Sequence, residues 1–269
     1  MPEGPAGITP ASGRRVLPWL ELAGLLAGFV VFSRLHDALG TDAAAAAAHA
    51  GTIRSIEATL HLDIEPAVNR WLAGDAALVQ AAVLVYRLYY VPLGGVLLWV
   101  LFRHRALYPR VRWALIVTAL LALLVFWLLP VSPPRFAVPG IVDVVADHDV
   151  LGNTGSRDLA DGRNHFSALP SLHVGWSLLA AWAAWRALRV HGSRVAGLVW
   201  LFPLVMIGVV IGTGNHYLLD VAAAVVLVAL AVAAASALEG DVVRRRRPQS
   251  PGRPRTGGDD DGSGGRRRR

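Results

Sequence analysis

Two histidines 43 residues apart sit in the most chemically suggestive stretches of this chain: Pro170-Ser171-Leu172-His173 and Asn215-His216-Tyr217-Leu218-Leu219-Asp220. A spacing of four on a helix puts His216 and Asp220 on one face, about one turn apart. The carboxylate can then accept a hydrogen bond from one ring nitrogen, which fixes the tautomer and leaves the other nitrogen to attack phosphorus. An isolated pair of this kind also serves to join two buried helices, but Asn215 and Tyr217 beside it add polarity beyond what packing asks for. In the first stretch, Pro170 suits an opening helical turn, where its missing N–H costs nothing. The free N–H groups of that turn and the positive end of the helix dipole make an anion site. The Ser171 hydroxyl adds a donor to a phosphate oxygen, with Asn215 a further polar group for the same anion, and His173 can protonate a leaving oxygen as general acid. By itself this tetrapeptide also reads as a plain helix cap with an interfacial histidine. Arg135 follows Pro133-Pro134 at the end of an apolar run, where a planar guanidinium can hold two phosphate oxygens, or simply sit at an interface. An anion-binding arginine, two histidines and a carboxylate together are the equipment for phosphoryl transfer through a phosphohistidine.

These residues need elements to hold them, and both histidine stretches open apolar runs long enough to cross a bilayer. The chain is 54% hydrophobic with a mean hydropathy of +0.47, well outside an ordinary soluble domain. Spans are predicted at about 16–32, 77–102, 111–130, 169–189, 195–213 and 216–238. The first could be the apolar region of a signal peptide, but it is long and lacks a small-x-small cleavage site, which favours a retained span. Residues 42–72 are amphipathic and too polar to span, and read as one or two helices lying at the outer interface. The expected fold is all-α: an integral membrane bundle of six transmembrane helices with an interfacial amphipathic helical segment. Residues 1–15 read as a disordered cytoplasmic leader, 16–240 as one membrane domain, and 241–269 as a disordered basic tail.

Composition removes several chemistries. Cysteine is absent, so disulfides, thiolate metal sites and a cysteine nucleophile are excluded. All 26 basic residues are arginine, so lysine chemistry is excluded too. The other histidines, His36 among them, fall in loops or interfaces without metal-ligand spacing, and neither a metal nor a cofactor is expected. The net charge of +7 gathers in the tail and short loops, which fits membrane orientation rather than nucleic-acid binding. Arg14, Arg15, Arg103, Arg105, Arg110, Arg112, Arg186, Arg189, Arg194 and Arg244–Arg247 fall on one set of loops, while the alternate loops dilute their arginines with more numerous acids. The positive-inside rule therefore puts both termini in the cytoplasm of a multi-pass plasma-membrane protein. Arg135, Ser171, His173, His216 and Asp220 then share the outer face.

Arginine in a Pro-rich corner, then Pro-Ser-x-His, then His-x-x-x-Asp resembles the type-2 phosphatidic acid phosphatase superfamily of integral membrane phosphatases. The form Ala168–His173 with Gly214–Asp220 is similar to its inositolphosphotransferase branch, which includes inositol phosphorylceramide synthase, and the resemblance covers about residues 45–238. It implies that His216 is the nucleophile, Asp220 its orienting carboxylate and His173 the proton donor, with Arg135 and Ser171 holding the phosphate and no metal needed. The substrate it implies is a lipid phosphate ester, of phospholipid or polyprenyl type; a phosphatase and a phosphotransferase differ only in the acceptor. The chain departs from the wider superfamily at two cations, having Leu128 where a lysine is usual and Val210 where an arginine is. Arg87, between Tyr86 and Tyr90 within a span, is a candidate replacement, or an arginine snorkelling to an interface. Arg163, Asn164 and His165 either line the mouth of the site or are ordinary loop residues. Gly208 and Gly212 read as a close-packing pair. A transporter or scaffold whose histidines bind protons or partners is the competing class, though its polarity would be spread along several helices rather than gathered at one face.

Overall fold

The computed structural model describes residues 18–39, 42–148, 161–190 and 192–246. The leader, Arg157 and the tail beyond Arg246 lie outside the described residues. The rest is helical, as expected of a chain whose backbone groups must be satisfied within each apolar segment. In chain order the helices are α1 (Pro18–Ala38), α2 (Ala43–Leu60), α3 (Glu65–Ala73), α4 (Ala76–Leu88), α5 (Tyr90–Arg103), α6 (Tyr108–Leu128), α7 (Pro134–Ala137), α8 (Val144–Asp147), α9 (Leu172–Val190), α10 (Leu201–Gly212) and α11 (Leu218–Arg246), with a 3-10 turn over Arg194–Trp200 leading into α10.

Four of the described helical stretches are long and apolar enough to cross a membrane: Pro18–Ala38, Tyr108–Leu128, Arg194–Gly212 and Leu218–Glu239. A fifth follows if α3 and α4, bent by 114° at Gly74-Asp75, count as one broken span. Two expected spans differ from simple apolar rods. The stretch 77–102 divides at Tyr89 into α4 and α5. Helix α9 has the length but not the hydropathy, because it is the inner helix of the bundle. It packs against α5, α6, α10 and α11, and ten of its residues are buried, mostly Ala, Gly and Ser. A helix shielded from lipid on all sides gains from small residues that let neighbours approach. At Gly175 an added Cβ would stand 3.7 Å from Val228 of α11.

Helices α6 and α11 form the most extensive pair, with Ala122 and Phe126 packed on Leu227 and Val228. At the end of the bundle away from the two histidine motifs, Arg110 Nε donates to Glu239 Oε2 at 2.6 Å, fixing their register. Gly212 closes on Leu72 of α3, 3.3 Å from where a Cβ would be, whereas Gly208 faces open space; the two glycines do not form one packing seam.

The amphipathic segment is two helices. Ala46, Ala50, Ile53 and Glu57 recur at helical spacing and make the buried stripe of α2, with Ala50 and Ile53 set against Val131, Ala168 and Tyr217. Asp42 caps α2 by accepting from Ala45 N, and Asp75 caps α4 by accepting from Ala77 N and Leu78 N. Helices α2 and α3 thus meet the start of α11, with α7 on α2 and α8 on α4, building a polar end on an apolar bundle.

Candidate active site

The second motif is tied down from several directions. Thr213 ends α10, and Gly214 turns the chain at φ +73, a conformation L-residues rarely adopt. A Cβ there would lie 2.6 Å from Ile141, so the close approach also requires glycine. The carbonyl of Gly214 accepts from Arg135 N at 2.8 Å, which seats the Pro-rich corner on this turn. Arg135 Nη1 donates to Asn215 Oδ1, and its Nε lies 3.5 Å from Asp143 Oδ2. Asn215 is held in turn, its Nδ2 donating to Thr213 Oγ1 at 2.8 Å and its Oδ1 accepting from Tyr86 Oη at 3.3 Å.

His216 is buried, and its Nδ1 has two acceptors: the Ala168 carbonyl at 2.8 Å and Asp220 Oδ2 at 3.3 Å. With Nδ1 donating, the tautomer is set and Nε2 carries the free lone pair. Asp220 is fully buried, and its Oδ2 also accepts from Tyr217 N at 2.8 Å. The His216–Asp220 contact is formed, but not on one helix face as the spacing predicted: His216 stands in the turn before α11, and a backbone carbonyl from the first motif is its nearer partner. The motifs are also joined directly, Ser171 N donating to the Asp220 carbonyl at 3.2 Å.

His173 lies in the first turn of α9, its ring centroid 5.9 Å from that of His216. Tyr86 stacks on it at 4.2 Å and Tyr89 tilts against it at 4.4 Å, so residues flanking the α4–α5 break hold the imidazole in place. Ser171 is fully buried, and its Oγ faces Val174 N at 3.4 Å as a cap of α9. The first turn of this helix is thus arranged by its own side chain, and Ser171 is not among the residues that line the cavity in front of the histidines.

That cavity has a volume of about 1030 Å³, and Arg135, His173, Asn215 and His216 all line it. Arg163, Asn164 and His165 line it as well, although the sequence favoured plain loop residues. Arg87 does not; it lies behind the wall, where its charge reaches Tyr86 and His173. The two positions where the wider superfamily carries cations have no place for one here: Leu128 points outward and Val210 is fully buried among Met206 and Val209. Among the described residues, no group of three His, Asp or Glu side chains is arranged to hold a metal ion.

Two residues of the amphipathic segment belong to this site although their sequence context gave only amphipathicity. Glu57 of α2 and Glu65 of α3 are 1% and 3% exposed. Glu65 Oε1 accepts from Leu218 N at 2.9 Å and Glu57 Oε1 from Leu219 N at 2.8 Å. These are free N–H groups of the first turn of α11, so the helix carrying Asp220 is capped by carboxylates from two other helices. The two buried carboxyls each disfavour the other's charge. Burial pushes the Glu57 carboxyl up from 4.5 to about 7, opposed by its bond to Leu219 N and reinforced by Glu65 and Asp220.

A family model described as the PAP2 superfamily matches residues 51–234, more than half of the chain, and the chain belongs to that superfamily. No curated protein and no solved structure matches it. The matched region begins inside α2 and leaves α1 outside.

Proposed function

We propose that this PAP2-superfamily membrane protein cleaves or transfers the phosphate ester of a lipid, of phospholipid or polyprenyl phosphate type, at the extracytoplasmic face through a phosphohistidine. The observation that carries the reading is His216: a buried imidazole with Nδ1 committed to Ala168 and Asp220, on the wall of a cavity that also holds His173 and Arg135.

Arg135 holds the phosphate through a guanidinium already oriented by Asn215 and Asp143. Arg163, on the same cavity wall, supplies the second positive charge that Leu128 and Val210 do not. The lone pair of His216 Nε2 attacks phosphorus, the N–P bond forming as the P–O bond to the alcohol breaks. His173 gives its proton to the departing oxygen. The Ala168 carbonyl and Asp220 stabilise the positive charge that develops on the His216 ring. In the second half, His173 takes the proton of the acceptor, whose oxygen attacks phosphorus as the N–P bond breaks, returning the pair to Nε2. With water as acceptor the enzyme is a phosphatase; with a second alcohol it is a phosphotransferase of the inositolphosphotransferase type. Ser171 contributes by capping α9 and setting the turn that carries His173.

In this reading α4–α5 and α9 are spans alongside α1, α6, α10 and α11, giving six, with both termini cytoplasmic. The test is to incubate the purified protein with phosphate-labelled phosphatidic acid and polyprenyl phosphates, quench, and look for an acid-labile, base-stable phosphoenzyme. Label on the wild type and none on His216→Ala is expected. Equal labelling of both, or neither label nor phosphate release with any lipid phosphate, would overturn the proposal.

A further inference from the structure

The cavity at the histidines is far deeper than a phosphate needs. Its volume of about 1030 Å³ stands at the top of the range for small-ligand sites, roughly 300–1,000 Å³. It runs from Arg135, His173 and His216 to Glu21 and Arg112, near the opposite ends of α1 and α6. One of its walls is α1, which lies outside the region matched by the family.

Among the described residues, the side-chain hydrogen bonds that tie α1 to other helices and loops lie near its two ends, and between them Phe32 packs edge-on against Trp176. Near its start Glu21 accepts from Arg112 Nη1 at 2.6 Å and from Tyr108 Oη at 3.0 Å. In its last turns His36 Nε2 meets Ser167 Oγ at 3.0 Å, and the His36 carbonyl accepts from Asn164 Nδ2 at 3.1 Å. No residue of α1 is buried. Its middle holds Gly24, Gly28 and Phe29 to the cavity, opposite Leu93 of α5 and Leu123 of α6. At both glycines an added Cβ would meet nothing within 4 Å. The two polar pins, with Phe32 on Trp176, thus hold this helix beside an apolar gap at Gly24 and Gly28 that is continuous with the phosphate site. The fifteen helical steps from Glu21 to His36 span about 22 Å at 1.5 Å per residue. That is well over half of the ~30 Å hydrocarbon thickness of a bilayer.

We infer that this gap is a slot for one long hydrocarbon chain of the phosphate ester, and that α1 is its gauge: the phosphate sits at His216, and the tail runs down along Gly28 and then Gly24. The inference rests on the lipid-phosphate reading above and deepens it by giving α1 the selection of tail length. A tail in this orientation lies as it would in a leaflet, head at the face and chain toward the interior. Gly28 stands eight residues from His36 and Gly24 twelve, about 12 Å and 18 Å down the slot. A leucine at either position projects into the path at a different depth.

The test uses the full chain in detergent with n-alkyl phosphates from butyl to octadecyl, following phosphate release. The wild type should gain kcat/KM with length until the slot is filled. Gly28→Leu should lower the long-to-short ratio roughly tenfold or more and cut off at shorter chains than Gly24→Leu, because overpacking a filled slot is costly. A wild-type length profile in both variants would overturn the slot. A second measurement is independent of turnover: Gly28→Cys and Gly24→Cys, in this cysteine-free chain, are labelled with a membrane-permeant maleimide. Octadecyl phosphonate should protect both and butyl phosphonate neither. Protection by octadecanol equal to that by the phosphonate would assign the gap to bulk lipid, and labelling that rises on dilution would assign it to a second copy; either result overturns the proposal. Absence of turnover with every ester, alongside selective protection, would defeat the catalytic reading and leave the slot standing.

Discussion

The carbonyl oxygen of Ala168 lies 2.8 Å from Nδ1 of His216, nearer than the Asp220 carboxylate at 3.3 Å. The residue that opens the first motif therefore fixes the ring proposed as nucleophile in the second. A neutral carbonyl accepts a hydrogen bond from Nδ1 whatever the charge on Asp220, so tautomer control does not depend on the carboxylate alone. Asp220 adds negative charge beside the ring and, through Tyr217 N, ties the chain at the start of α11.

Asp220→Asn should therefore reduce turnover without abolishing it, by less than the roughly 10⁴-fold loss seen where an aspartate is the imidazole's sole orienting partner. His216→Ala should remove turnover entirely. Steady-state phosphate release on folded, detergent-purified variants checks both. An Asp220→Asn protein as inactive as His216→Ala would show that the carbonyl does not hold the ring.

His173→Ala should slow the reaction in proportion to the basicity of the leaving group, because its role is proton transfer. With nitrophenyl phosphate, whose leaving group needs little protonation, the variant should still form the phosphoenzyme and accumulate it, since activation of the acceptor is also impaired. Rapid-quench labelling with activated and unactivated esters reads this out. Equal sensitivity to the leaving group in the His173 and wild-type proteins would contradict the role.

The Glu57–Glu65 pair predicts a pH-dependent stability. A carboxyl held at about 7 when folded and near 4.5 when unfolded binds more protons in the folded state. Its stabilising effect is full below about 4.5 and is lost as pH rises through about 7. The melting temperature should fall across this window, and Glu57→Gln, which keeps an acceptor for Leu219 N, should flatten the fall. A Gln variant with the wild-type slope would show that other groups dominate.

Phosphate binding by arginine and helix N–H groups predicts that turnover survives EDTA and that vanadate inhibits as a phosphate mimic. Arg135→Ala should weaken vanadate inhibition by roughly ten- to a hundredfold, the loss expected of a charge-assisted contact. Arg163→Ala should weaken it less, since Arg163 lies in an exposed loop. Activity lost in EDTA and restored by a divalent ion would contradict this assignment.

Orientation can be tested at Pro139, an exposed residue in the segment between α7 and α8. In this cysteine-free chain, Pro139→Cys should react with an impermeant thiol reagent in intact cells, and a cysteine in the 247–269 tail only after lysis. The reverse pattern would place the site on the cytoplasmic side.

The local chemistry was legible in the sequence. The His216–Asp220 pair is a local contact across four residues, made from the turn before α11 to its first turn, and Pro170-Ser171 marks the start of α9, because each arises within a few residues of chain. The amphipathic helices and the apolar runs were legible for the same reason. What sequence did not show is that the run at 169–189, read as a span, falls short of a span's hydropathy: α9 is the innermost helix, and a helix covered by its neighbours carries Ala, Gly and Ser in place of apolar surface. Sequence put Arg87 forward ahead of Arg163, and only the packing decides that Arg163 is the one lining the cavity. The Ala168 carbonyl, the Glu57 and Glu65 caps, the tyrosines around His173 and the two pins on α1 all join residues far apart in the chain. A backbone carbonyl has no residue-type signature, and a glutamate on an amphipathic helix looks the same whether it meets water or the first turn of another helix. Those contacts exist only once the helices have packed, because their partners are chosen by proximity in space rather than by spacing along the chain.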